Sequence, residues 1–128
     1  MAERGTRTLI DGPAGKIEVA SSVPAAARAV AVVAHPHPLY GGTMDNKVIT
    51  TLAKVFVEAG IAAYRFNFRG VGATEGAHDE GRGEAQDMLR VIEHVRGVSG
   101  EAPLYLAGFS FGGAIAVRAS ASADFRQL

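Results

Sequence analysis

The chain has 128 residues, which is enough for one domain with a buried core. Its 13 Lys and Arg residues balance its 13 Asp and Glu residues, so there is no electrostatic case for binding nucleic acid or an anionic membrane. The absence of cysteine excludes a disulfide framework, a thiolate metal site and a cysteine nucleophile.

The first residues carry no sign of export, because residues 1–5 lack the apolar core of a signal peptide. No run approaches the roughly 18 apolar residues of a membrane span. We therefore expect a cytoplasmic protein whose partner is a small neutral molecule, with no nucleic acid and no membrane involved.

The first half of the chain predicts a hairpin, a buried strand and a helix. Residues 8–10 and 16–20 flank a turn-rich stretch at 11–15, which is typical of a β-hairpin. Residues 29–34 are continuously apolar and valine-rich, as in a strand covered on both faces. A Gly/Pro-rich loop follows, and from Asn46 the apolar residues take helical spacing, with Thr43 or Asp45 as the cap and Gly60 as the stop.

The second half repeats the alternation of strand and helix. Residues 61–68 predict a strand, and residues 69–83 a long loop with five glycines. The next amphipathic helix has Glu84 and Asp87 in its first turn and Arg96 near its end, in agreement with the helix dipole. The order of elements predicts an α/β fold with a mostly parallel sheet, an N-terminal hairpin and flanking helices in a single domain.

The third β-α unit carries the most informative motif. After a strand at 104–107, Gly108-Phe109-Ser110-Phe111-Gly112 matches the G-x-S-x-G pattern, which places a nucleophilic serine on a sharp strand-to-helix turn. A serine hydroxyl becomes a good nucleophile when a histidine removes its proton and a carboxylate orients that histidine. In this arrangement both partners follow the serine, where the sequence has Asp124 and no histidine. The residues present therefore form half of a catalytic set.

Segments 35–42, 46–47, 65–72 and 108–112 together resemble the α/β-hydrolase superfamily, in particular small bacterial hydrolases related to serine aminopeptidases and X-prolyl dipeptidyl peptidases. The resemblance runs from about Leu9 to the C-terminus and covers the first half of the family fold. It implies that residues 1–128 form one partial α/β-hydrolase domain, truncated after the nucleophile helix. The later strands, with the acid and the histidine, would then lie outside this sequence.

The resemblance also implies that the loop beginning His35-Pro36-His37-Pro38 is the oxyanion loop. One backbone donor would be Phe111, the residue after the nucleophile, and the other would come from this loop. Proline has no N–H, which leaves His37, Leu39 or Tyr40, and Leu39 is our preferred donor. The predicted site loop contains His35, His37, Tyr40, Gly41 and Gly42, and the two histidines are expected to brace it by side-chain hydrogen bonds.

Two other kinds of site have weaker support. His35 and His37 could chelate a divalent ion with His78 or Asp79, but no further ligand set accompanies them, so we expect no metal and no cofactor. Residues 70–76 nearly match a dinucleotide fingerprint, yet Glu75 occupies its third glycine position and no helix is predicted there. The resemblance instead makes residues 67–76 a turn beside the site, with Arg69 holding loop carboxylates. The acidic residues nearby are expected to be solvated: Asp79, Glu80 and Asp87.

Two functions remain open. The first is a serine hydrolase of small-molecule esters or amides that forms an acyl-enzyme on Ser110 and is inactive as this truncated chain. The alternative is a non-catalytic fragment or interaction module of the same fold. The family's strand order would place 104–107 beside 29–34, and 29–34 beside 61–67. Strand 104–107 would then be an uncovered edge through which copies of the chain could self-associate.

Overall fold

The computed structural model describes residues 3–122, so Asp124 lies outside the described residues. Strands and helices alternate after an opening hairpin, as the sequence predicts. The elements are β1 (Glu3–Gly12), β2 (Gly15–Pro24), β3 (Ala29–Ala34), a 3-10 helix (Pro38–Tyr40), α1 (Lys47–Glu58), β4 (Ile61–Phe66), α2 (Arg82–Ser99), β5 (Leu104–Gly108) and α3 (Phe111–Ser122).

The strands form one mixed sheet in the order β1-β2-β4-β3-β5. The pairs β1–β2 and β2–β4 are antiparallel, whereas β3 is parallel to both β4 and β5. The predicted placement of β3 between β4 and β5 is therefore confirmed. Parallel pairing is limited to the three strands of the β-α units, and the hairpin joins them antiparallel, so the sheet is mixed rather than mostly parallel.

Strand β3 is buried along its whole length because helices cover both faces of the sheet. Val30, Val32 and Ala34 belong to the main core, which includes residues of α2 and α3 such as Met88 and Ile115. The alternate residues of β3 face the other way, where Phe56 of α1 packs against them. The period-2 alternation of a strand thus distributes one apolar run between two layers of helices.

The structure corrects the predicted starts of two helices, α1 and α2. The cap of α1 is Asn46, whose Oδ1 accepts from the N–H groups of Val48 and Ile49. The prediction of Thr43 or Asp45 was wrong, because Asn46 itself has extended backbone geometry and supplies the oxygen. Helix α2 begins at Arg82, two residues before the predicted start.

No helix within residues 3–122 has both the length and the apolar character needed to cross a membrane.

Candidate active site

Ser110 lies in the short turn between β5 and α3, and its side chain is exposed. Its φ of 60° is in the left-handed region, which non-glycine residues rarely adopt. Two backbone bonds hold the turn: the Phe109 N–H donates to the Ala34 carbonyl at 3.3 Å, and the Gly112 N–H donates to the Phe109 carbonyl at 3.1 Å. A strained, exposed serine held on a strand-to-helix turn is the geometry expected of a nucleophile.

The glycines of the motif allow the close packing behind this turn. A Cβ on Gly112 would overlap the carbonyl of Ala34 at the end of β3. A Cβ on Gly108 would overlap the backbone of Gly112. Helix α3 can therefore begin directly against β3 and β5 because both positions lack a side chain.

The predicted site loop, residues 35–42, follows β3 and lies at the same end of the sheet as Ser110. The ring of His37 lies 4.5 Å from the ring of Phe111, measured between centroids. Backbone bonds fold the loop around His37, whose carbonyl accepts from the N–H groups of Tyr40 at 3.1 Å and Gly42 at 3.0 Å. Gly41 has a φ of 84°, a backbone conformation that favours glycine. At Gly42 the reason is space, because a Cβ there would overlap the Pro36 carbonyl.

His35 is completely buried and braces the loop from inside. Its Nδ1 lies 2.7 Å from the Pro36 carbonyl, and its Nε2 accepts from the Phe68 N–H at 3.1 Å. Since a carbonyl can only accept, Nδ1 carries the proton and the ring is neutral. Burial lowers the pKa of His35 to about 4, which keeps it neutral across the physiological range.

His37 braces the loop as well, and this changes the choice of oxyanion donor. Its Nδ1 accepts from the Leu39 N–H at 3.2 Å, at the start of the 3-10 helix. The predicted bracing by both histidines is thus confirmed, and the N–H of the preferred donor Leu39 is already engaged. Tyr40 is engaged too. Within residues 3–122 the N–H groups of His37 and Phe111 donate no hydrogen bond.

A cluster of aromatic rings that includes Phe111 lies next to the serine turn. His37 lies between Tyr40 and His78, with both ring centroids 4.9 Å away. Tyr40, Leu39 and Phe109 are exposed, and Tyr40 retains 87% of its accessible surface.

The sequence did not predict that Glu84 and Asp87, in the first turns of α2, are buried. Asp87 was expected to be solvated, but it is 1% exposed and forms a two-pronged ion pair with Arg69, with both N···O distances 2.8 Å. The carboxylate that Arg69 holds is therefore on α2 rather than on a loop. Glu84 is also buried, and it accepts from the N–H groups of Asp79 and Gly81 at the start of the helix. Glu84 thus makes one half of a capping box, and because Gly81 has no side chain the sequence lacks the usual signature of this cap.

The other two predicted kinds of site find no support in the contacts. Both ring nitrogens of His35 are hydrogen bonded, so this side chain is not free to ligate a metal. No group of three or more metal-ligating side chains comes together within residues 3–122. Near Gly70 and Gly72 the chain forms turns, and the next helix begins at Arg82, which removes the helix N-terminus that dinucleotide binding needs.

The fold is similar to that of solved bacterial hydrolases. An α/β serine hydrolase homologue from Coxiella burnetii is 44% identical with a TM-score of 0.86, over 90% of this chain and 56% of that chain. The protein XC6422 from Xanthomonas campestris, described as an α/β serine hydrolase without lid, is 41% identical with a TM-score of 0.89, over 93% and 56% of the two chains. At these identities the similarity extends beyond the fold.

Sequence comparison points the same way. The family model described as serine aminopeptidase, S33 matches residues 25–125. An uncharacterized protein of Rickettsia prowazekii (strain Madrid E) is 40% identical over 110 residues, which are 84% of this chain and 46% of that protein. The chain thus spans about half the length of the relatives it matches.

Proposed function

We propose a function from the premise that this chain belongs to the serine aminopeptidase S33 family of α/β serine hydrolases. The proposed reaction is hydrolysis of an ester or amide bond of a small neutral molecule, with an acyl-enzyme formed on Ser110. The observation that carries the proposal is the left-handed φ of 60° at this exposed serine, on the turn where the family motif places its nucleophile. The predicted cytoplasmic location stays a prediction.

The proposed reaction has two stages, the formation of an acyl-enzyme on Ser110 and its hydrolysis. The Ser110 hydroxyl oxygen attacks the carbonyl carbon of the substrate while its proton passes to a base. The C–O or C–N bond then breaks, and the leaving group takes up that proton. Water hydrolyses the resulting acyl-enzyme and restores the free hydroxyl.

The oxyanion needs two donors that are not already hydrogen bonded. We keep Phe111 as the first donor, since its N–H makes no hydrogen bond within residues 3–122. In place of Leu39 we propose His37 as the second donor, because the N–H of Leu39 is bound to the His37 ring. The contact between the rings of His37 and Phe111 supports a common site for their two N–H groups.

The general base is not among the residues after Ser110 in this chain. All four histidines of the sequence precede Ser110, whereas the motif's arrangement takes its acid and histidine from later β-α units. For the 128-residue chain alone we expect at best the roughly 10³ to 10⁴ over water that oxyanion contacts and binding can leave.

The test uses the product of the complete reading frame. Ser110→Ala should abolish p-nitrophenyl acetate hydrolysis and fluorophosphonate labelling, with a loss on the order of 10⁶ in kcat, as in comparable enzymes. Ser120→Ala is the matched control, since it removes the same atom from α3, where the hydroxyl only bonds the Val117 carbonyl. Labelling that persists in the Ser110 variant would refute the assignment. Absence of labelling and turnover in the wild type would favour the alternative, a non-catalytic module of this fold.

A further inference from the structure

We propose that Asn67 is a positioning residue that holds the site loop so that the His37 N–H can face the developing oxyanion. The proposal rests on the proposed function. It concerns a buried amide at the carboxyl end of β4, which touches neither Ser110 nor its turn in the described hydrogen-bond network.

The Asn67 side chain uses both of its polar atoms to join separate parts of the chain. It is 3% exposed. Its Oδ1 accepts from the Met44 N–H at 2.9 Å, and its Nδ2 donates to Oε1 of Glu18 at 2.9 Å. Met44 lies two residues after the site loop, and the Asn67 amide thereby links it to Glu18 of β2.

The two residues at the end of β4 hold both ends of the loop. The Phe68 N–H donates to His35 at the beginning of the loop, and the Asn67 amide holds Met44 just after its end. Between these anchors the Gly42 N–H donates to the His37 carbonyl at 3.0 Å. A shift of Met44 would therefore pass through Gly42 to the peptide groups of His37.

Charge fixes the orientation of the amide. Glu18 accepts hydrogen bonds from the Ala73 N–H and from Asn67, and the Ala73 bond is the main cause of a lowered pKa of the Glu18 carboxyl. An ionised carboxylate requires the NH₂ side of Asn67 to face it, and the Met44 N–H requires the oxygen side. The reversed orientation would lose both bonds, so the amide has a single favourable state.

Met44 has a second anchor, which limits the damage that loss of Asn67 can cause. Its carbonyl accepts from the Arg65 guanidinium at 2.6 Å. Removal of the Asn67 amide would therefore release one side of Met44 and shift the loop, whereas the other side would remain held. A displacement of about 1 Å can cost about 100-fold in rate when it misplaces a group that acts on the transition state.

The experiment compares four variants of the product of the complete reading frame. For Asn67→Ala we expect kcat to fall roughly 10- to 100-fold with KM within about twofold, because the donor acts on the oxyanion rather than on the bound substrate. Asn67→Asp keeps the acceptor for Met44 but sets two carboxylates against each other, and should be similarly impaired. Adding Glu18→Gln to Asn67→Asp removes this repulsion and should recover part of the loss. Arg96→Met is the control, since it removes two hydrogen bonds that lie away from the site loop, to the carbonyls of Gly100 and Ala102 just before β5. It should lower stability without changing kcat.

A second measurement does not depend on turnover. Amide hydrogen exchange should become faster across residues 37–44 in Asn67→Ala and stay unchanged in Arg96→Met. If wild-type labelling depends on Ser110 but Asn67→Ala changes neither kcat nor this exchange, the positioning role is overturned and the hydrolase proposal stands. If the wild type has no Ser110-dependent reaction, the hydrolase proposal fails, and unchanged exchange in the variant would overturn the loop role as well.

Discussion

Replacing His35 by glutamine should remove a pH-dependent part of the stability. His35 has no accessible surface, its Nε2 accepts from the Phe68 N–H, and burial lowers its pKa to about 4. Protonation would turn that acceptor into a second donor against the same N–H, inside the core. Glutamine does not titrate, and its side-chain oxygen can accept in place of Nε2.

The size and direction of the effect follow from the two states of the histidine. In the unfolded chain its pKa is about 6.5, so the unfolded state binds the proton first as the pH falls. Above pH 6.5 both states are neutral and the free energy of unfolding is unaffected. Between about pH 6.5 and 4 stability is lost, and lowering the pH from 7.5 to 4.5 should cost roughly 2 to 3 kcal/mol through this residue.

Urea unfolding of wild type and His35→Gln at pH 7.5 and 4.5 measures this contribution. The variant should be less stable at pH 7.5, by about 1 to 2 kcal/mol, because one buried hydrogen bond is altered. The gap should close or reverse at pH 4.5. His94, whose burial also lowers its pKa, is present in both proteins and cancels in the comparison. Parallel losses of stability in the two proteins would show that His35 is not held neutral by its burial.

Three further predictions concern the serine turn and the sheet edge. Ser110→Gly should raise the free energy of unfolding by about 1 kcal/mol, because glycine adopts a positive φ without strain. Ser110→Ala should give no such gain. Equal effects of the two substitutions in urea unfolding would contradict stored strain at this position. Gly112→Ala should lower the unfolding free energy by at least about 2 kcal/mol in the same assay, since the new Cβ would overlap the Ala34 carbonyl. Gly97→Ala on α2 is the control: a Cβ there has open space, so the substitution should be neutral or stabilising. We also propose that the 128-residue chain self-associates through β5, one of the two edge strands of the described sheet. Tyr105→Lys should then shift size-exclusion elution toward monomer, and a wild-type chain that elutes as a monomer would contradict the proposal.

The sequence predicted those parts of the fold that depend on short-range periodicity. The continuous apolar run of β3 and the helical spacing in α1 are visible within single windows of the chain. The order of the three parallel strands came from the family resemblance, and the register of Ala34 with Gly108 agrees with it. The serine turn is partly a local feature: Gly108 packs against Gly112 within the same β-α unit, whereas Gly112 packs against the Ala34 carbonyl of β3.

The features that the sequence did not show depend on contacts between distant segments. Asp87 looks like an ordinary exposed charge on a helix until Arg69, 18 residues earlier, is placed against it. The bond from Asn67 to Met44 spans 23 residues and connects two loops. Leu39 was a reasonable donor from the positions of the prolines, but the ring of His37 turns back to its N–H, and nothing in the residue pattern indicates that rotamer.

The contacts separate the parts of the site that this chain builds from the part it does not. The nucleophile turn rests on β3 through Ala34, and the oxyanion loop continues from the same strand, so a single strand end sets the position of both. Asn67 and Phe68 at the end of the neighbouring strand then hold the loop. None of these contacts involves a base for Ser110. Within residues 3–122 the oxyanion loop is thus held without a base, and we expect loss of the base to leave the oxyanion geometry intact. The residual reactivity of the 128-residue chain would then depend on that geometry and on substrate binding, so Asn67→Ala should lower even this residual rate if Asn67 positions the loop.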